Sequence, residues 1–341
     1  MGYWAGSVVR GQVLLTVTSN VKARAIRLRL IGRAETHWSE RHGSGKNART
    51  VHYGEKMDIM KTEVLLWGNP RGVDGEETLP QGDLSFPICF ELPSGEHIPS
   101  SFHDTHGFVA YRTEVNVDIA WRIDPSAQLP FTLYNIIDCN LPMYLPPYES
   151  SRTETIGCCG SEGCTLKASI QRRAFSFNDA IQANIDLSCQ AQQLKIKGFE
   201  IKLFRGVRVT AHGRSRYTES CVAQSRIDED LVLYATNSTK KSISLPLTQP
   251  LTPTIASFRL IEVKYQVLIS ALTRHCCTEP SVLIPVVIGT IPFRGQQMVM
   301  ASAPVQYQQP APVASAPVEE NVWSHQIYAP PPYQEYASNS N

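Results

Sequence analysis

Four residues near the C-terminus, Pro330, Pro331, Pro332 and Tyr333, form a P-P-x-Y string. Their chemistry is recognition rather than catalysis. Consecutive prolines fix φ and favour a polyproline II helix, which enters an aromatic groove with little conformational entropy left to lose. The tyrosine then fills a second pocket on the same face. Proline-rich tails produce such strings by chance, so a solvated spacer is the competing reading. Tyr144-Leu-Pro-Pro-Tyr148 lacks the intervening residue and is read as a decoy.

Other residue types invite catalytic or metal chemistry and then fall short of it. His103 and His106 make an H-x-x-H, but in a loop-like segment after Pro99-Ser-Ser. A metalloprotease needs two histidines one turn apart on a helix, with a glutamate between as base. Neither a glycine-rich phosphate loop nor a G-x-S-x-G elbow is found, so no catalytic residue is assigned. Cys158, Cys159 and Cys164, with His275, Cys276 and Cys277, are zinc-ligand types. Adjacent cysteines on an extended chain point to opposite sides and no C-x-x-C occurs. The expectation is thiols with no metal and no cofactor.

Lys22, Arg24, Arg27, Arg29 and Arg33 bring five cations close together, and Lys195, Lys197, Lys202 and Arg205 make a smaller cluster. Either cluster is a candidate contact for anionic lipid headgroups or an acidic peptide, each charge adding about 1 kcal/mol near a membrane. A solvated strand face is the blander reading. The formal net charge is only +1, which argues against nucleic-acid binding by the whole chain.

The elements that must hold these residues are strands. Ile26, Leu28 and Leu30 alternate with Arg27 and Arg29, the pattern of a half-buried antiparallel strand with its charged side in water. Val9, Val13 and Leu15 share one parity, as do Phe199, Ile201 and Leu203, and Val263, Tyr265, Val267 and Ile269. The stretch Phe108–Asp118 alternates around one phase slip. Clusters of Gly, Pro, Asn and Ser such as Gly68-Asn-Pro-Arg-Gly separate the runs. With 341 residues and 42% hydrophobic composition, the chain suits two consecutive immunoglobulin-like β-sandwich domains, an all-β fold.

We place the first domain at residues 1–140, a join at 141–163, the second domain at 164–294 and a Pro/Ala/Gln-rich tail at 295–341. The tail is nearly free of Leu, Ile and Phe and is expected to be disordered. No segment reads as a signal peptide, and the longest uncharged apolar stretch, 281–293, is too short to span a bilayer and holds Pro285 and Pro292. Nine cysteines, an odd number, fit reduced cytosolic thiols.

Several of these segments resemble the arrestin superfamily, most closely the arrestin domain-containing proteins, or α-arrestins. Gly6, Gly11, Val13 and Leu15 are similar to the opening strand pair. Ile26-Arg-Leu-Arg-Leu-Ile-Gly-Arg-Ala-Glu-Thr-His-Trp38 carries a G-x-A-x-x-x-W pattern. Leu79-Pro-Gln-Gly-Asp-Leu-Ser-Phe-Pro87, Phe90-Glu-Leu-Pro93 and Ile98–Arg112 follow in family order. Leu283-Ile-Pro-Val-Val-Ile-Gly-Thr-Ile-Pro292 resembles the closing strand. The strand usually found before the Tyr3-x-x-Gly6 turn is expected to be missing.

The resemblance implies a non-enzymatic adaptor. Its domains would bind cytosolic regions of membrane receptors or transporters, with peripheral rather than integral membrane association at the plasma membrane and endosomes. Its P-P-x-Y would recruit a WW-domain HECT-type ubiquitin ligase, promoting ubiquitination, endocytosis and sorting. A retromer-associated trafficking scaffold and a thioredoxin-interacting redox regulator are the alternatives within the superfamily.

Overall fold

A computed structural model of the chain describes residues 2–45, 48–71, 73, 75–156, 162–190, 193–234, 237–274 and 279–295. Among these residues the fold is all-β and forms two sandwiches. In the first, one sheet runs β1 (Gly2–Trp4), β10 (Ser126–Tyr134), β9 (Gly107–Asp118), β4 (Ala25–His42) and β5 (Arg49–Gly68), with β8 (Phe102–Asp104) also on β9. Two antiparallel pairs pack against it: β2 (Val8–Val17) with β7 (Gly82–Glu91), and β3 (Val21–Ala23) with β6 (Glu77–Leu79). The strand numbers follow chain order.

The second sandwich joins a four-stranded and a five-stranded sheet. The first is ordered β11 (Tyr148–Ile156), β12 (Glu162–Ile170), β14 (Ala180–Cys189), β17 (Ser238–Pro246). The other is ordered β13 (Ala174–Phe175), β19 (Ser281–Ile288), β18 (Ile261–Thr273), β15 (Gln193–Ala211), β16 (Arg214–Tyr234). Alternation decides what is inside. Ile181, Ala183, Ile185 and Leu187 of β14 meet Phe199, Ile201 and Leu203 of β15 and Val263, Tyr265, Val267 and Ile269 of β18 in one buried cluster.

Gly2–Trp4 pairs in parallel with β10, from Gly2↔Thr132 to Trp4↔Tyr134. Two sequence expectations are corrected. Part of the expected join, Tyr148–Ile156, is β11, an edge strand of the second sandwich. Its Ser- and Thr-rich run lacks alternating apolar residues, and most of its described side chains are exposed. Finally, Arg27 does not sit in water but is only 6% exposed. Strand β4 lies between two long neighbours, β5 and β9, whose acidic side chains cover its charged face.

The G-x-A-x-x-x-W segment is a packing device. A Cβ on Gly32 would fall 2.6 Å from Tyr111 Cε1 and 2.9 Å from Met60 Cγ. Tyr111 cannot yield easily, because its hydroxyl donates to the Pro99 carbonyl at 2.6 Å in the core. Ala34 is fully buried, and Trp38 stacks on Tyr53 with ring centroids 5.2 Å apart.

Candidate functional site

The five clustered cations do not make one open positive face. In the ladder, Arg29 lies directly opposite Glu63 on β5 and Glu114 on β9. Its Nε reaches Glu63 Oε2 at 3.0 Å and its Nη1 reaches Glu114 Oε1 at 3.4 Å. Arg27 Nη1 donates to Asp118 Oδ2 at 2.8 Å and Nη2 to the Asn69 carbonyl at 3.1 Å. Arg33 pairs with Asp58 at 3.1 Å, and Arg24 with Asp118 at 3.6 Å. Lys22 sits at the exposed middle of β3. The arginines are therefore paired with carboxylates of the protein itself, Arg24 and Arg33 at its surface, and buried Arg27 is closed to any ligand.

Glu63 is the hub of this network. Arg71 grips it with Nε on Oε1 and Nη2 on Oε2, both at 2.7 Å. That bidentate bond, more than the Arg29 contact, holds the Glu63 carboxyl down to about 2 despite some burial. In the smaller cluster, Lys202 pairs with Glu200 at 2.6 Å and Arg205 reaches Asp104 of the first sandwich at 3.8 Å.

The histidines and cysteines offer no metal site among the described residues. His103 lies on β8, and His106 follows in the turn, where its carbonyl accepts the His37 amide at 2.9 Å. Cys164 is buried in β12. Burial, more than the nearby Asp179, pushes the Cys139 thiol up to about 11, which leaves it protonated and unreactive near neutrality. Cys158, Cys159, His275, Cys276 and Cys277 lie outside the described residues, as do Pro330, Pro331, Pro332 and Tyr333.

Sequence reasoning missed the contacts that join the sandwiches. At one end, Thr36 Oγ1 donates to the Thr210 carbonyl at 2.8 Å. Beside it, Glu55 Oε2 accepts the His212 amide at 2.7 Å, and Glu55 Oε1 pairs with Arg259 at 2.6 Å. At the other end, the Ile137 carbonyl accepts the amides of Thr290 and Ile291 at 2.9 and 3.1 Å. Thr290 Oγ1 donates to the Asn135 carbonyl at 2.9 Å and accepts the Ile137 amide at 2.8 Å. A Cβ on Gly289 would lie 2.4 Å from Cys139 Sγ and 2.8 Å from the Ile137 oxygen, so the close approach requires glycine. The one sequence signal for this seam was the Ile-Gly-Thr-Ile-Pro segment, whose residues make it.

Two consecutive β-sandwiches joined by polar seams at both ends define a two-domain fold of the arrestin kind. Residues 2–140 match the family model "Arrestin (or S-antigen), N-terminal domain", and residues 161–293 match "Arrestin (or S-antigen), C-terminal domain". The chain belongs to the arrestin domain-containing family, the α-arrestins. It is 27% identical over 305 residues to human "Arrestin domain-containing protein 4", covering 86% of this chain and 69% of that protein. It is 24% identical to "Arrestin domain-containing protein 17" of Caenorhabditis elegans, over 89% and 71% of the two chains. Human "Arrestin domain-containing protein 5" is 21% identical over 84% of each chain.

Proposed function

We propose that this α-arrestin is a non-enzymatic adaptor that links membrane cargo to a WW-domain HECT-type ubiquitin ligase. The supporting observation is the position of Pro330-Pro331-Pro332-Tyr333, beyond the C-terminal arrestin domain that ends at residue 293. The two sandwiches, tied at both ends by the Glu55 and Thr290 contacts, hold the cargo. The tail delivers the ligase, and ubiquitination sends the cargo to endosomes. One P-P-x-Y contact is small, so useful affinity requires several contacts at once, from a partner with several WW domains or from the arrestin body itself. No helix among the described residues is long and apolar enough to cross a membrane. The protein on this reading is a peripheral visitor from the cytosol.

The test is capture of WW-domain ligases by the full chain and by its Tyr333→Ala variant. Capture that disappears in the variant supports the adaptor. Equal capture by both, or none by either, makes the tail a spacer and moves the reading to a trafficking scaffold.

A further inference from the structure

The hairpin between β9 and β10 carries the most exposed large apolar side chains among the described residues. Trp121 is 100% exposed and Ile123 is 96% exposed, with exposed Arg122 between them. A tryptophan with nothing beneath it normally folds back onto the protein. This one projects into solvent, from a backbone whose φ of 60° lies in the left-handed region that bulky residues avoid. The loop is closed from within by Asp124, whose Oδ1 accepts the Ile119 amide at 3.1 Å and whose Oδ2 accepts Asn116 Nδ2 at 3.4 Å. The Val117 amide also bonds the Pro125 carbonyl at 2.9 Å. Asp124 therefore spends its charge on the loop, leaving Trp121, Arg122 and Ile123 as the projecting tip.

Neighbouring loops leave the sheet at the same end. Ala25 pairs with Asp118 on one side and Gly68 on the other, so the segments after Asp118 and after Gly68 leave this end of the sheet on either side of β4. The second presents Val73, 54% exposed, near Arg71. Lys22 and Arg24 lie at this end too, but Asp118 pairs with Arg24, and exposed Glu76 and Glu77 run alongside, with Glu77 opposite Ala23. Net charge at the tip is close to zero. Attraction to a surface must come from the apolar side chains.

We propose that the β9–β10 hairpin is a bilayer-interface anchor. Trp121 and Ile123 seat at the headgroup and glycerol level of a phospholipid membrane, and Arg122 reaches back to a lipid phosphate. Tryptophan suits this depth because its ring is amphipathic, and an arginine stem can lie along apolar surface while its head stays wet. A convex tip of two or three side chains is too small for a specific protein interface, which buries upwards of about 1,000 Å². The proposal rests on the peripheral-membrane part of the adaptor reading. It moves the contact from the clustered arginines, which are paired internally, to the apolar side chains of the hairpin tip.

The test uses the full chain and pure vesicles, without ligase or cargo, so its failure is separate from failure of ligase capture. Sedimentation compares phosphatidylcholine vesicles with vesicles holding about 30 mol% phosphatidylserine, at low and high salt. The variant is Trp121→Asn with Ile123→Ser; asparagine tolerates the left-handed backbone, so the loop keeps its shape. We expect the wild type to bind both vesicles and the double variant to bind about tenfold or more weakly, the ratio expected for removing large apolar side chains from an interface. Its unfolding midpoint should equal that of the wild type, and salt should change wild-type binding little. Equal binding by variant and wild type overturns the proposal. So does wild-type binding that high salt abolishes, which would return the contact to the cations. Failure of the wild type to bind vesicles, with concentration-dependent self-association lost in the variant, would assign the tip to a second copy of the chain instead.

Discussion

Glu55 and Arg259 meet at 2.6 Å across the boundary between the two sandwiches, although they are far apart in the chain. Glu55 also accepts the backbone amide of His212, at the tip of the β15–β16 hairpin, where φ is 49°. The amide bond is the first cause of the lowered Glu55 carboxyl, and the Arg259 bond is the second. One carboxylate thus holds both a strained turn and a cation of the opposite domain.

Glu55→Ala should loosen this end of the seam and leave each sandwich folded. Hydrogen exchange at the His212 amide should quicken several-fold, while amides in the middle of β14 and β18 stay protected. The pH dependence follows from the sign. A carboxyl lowered in the folded state contributes its stabilisation above its unfolded value of about 4.5, and loses it as pH falls through the lower folded value. Wild-type His212 exchange, corrected for intrinsic rate, should therefore approach that of the variant only below about pH 4.5. A His212 amide equally protected in both proteins at pH 7 would show that the latch does not hold the turn.

Glu63 gives a second acid-sensitive contact, inside the first sandwich. Its folded pKa of about 2 lies below the ordinary 4.5, so the Arg71 and Arg29 bonds stabilise the fold above pH 4.5 and fade between 4.5 and about 2. Glu63→Gln should lower stability at pH 7 by about 1 kcal/mol, the modest size reflecting partial solvent screening. The difference between the two proteins should shrink steadily as denaturant titrations are taken towards pH 3. A difference that stays constant with pH would mean that the charge on Glu63 contributes nothing.

The strands themselves were legible. The inward sets Phe199, Ile201 and Leu203, and Val263, Tyr265, Val267 and Ile269, follow from a period of two because each strand buries one face in a shared core. Arg27 was misread by the same rule. Alternation assigns a residue to a face but does not say whether long side chains from neighbouring strands cover that face. The pairings Glu55–Arg259 and Ile137–Thr290 were not legible for another reason: they depend on how the two domains meet, and the Ile-Gly-Thr-Ile-Pro segment marked only one side of the second. Trp121 carried no periodic signal at all, since its exposure is set by a single turn.

Gly32 tests whether the G-x-A-x-x-x-W pattern is a packing constraint. Gly32→Ala would press a methyl group against Tyr111 and Met60, and Tyr111 is pinned by its bond to Pro99. Thermal or urea unfolding should show a loss of about 1–3 kcal/mol, the usual range for overpacking. Tyr111→Leu in the same chain should recover part of that loss relative to Tyr111→Leu alone. Additive losses would place the strain elsewhere.

At the second seam, Thr290 and Gly289 make separable contributions. Thr290→Val keeps the shape of the side chain but removes the hydroxyl that donates to Asn135 and accepts from Ile137. The Ile137 amide then loses its acceptor in a part-buried site, which costs about 1–3 kcal/mol. Gly289→Ala acts by crowding instead, because its new Cβ would meet Cys139 Sγ and the Ile137 carbonyl. Adding Cys139→Ala should relieve only the sulfur clash, since the carbonyl belongs to the backbone and stays in place. The double variant should therefore regain part of the lost stability and not all of it. Full recovery would make the sulfur the sole obstacle, and no recovery would assign the glycine requirement to the Ile137 oxygen alone.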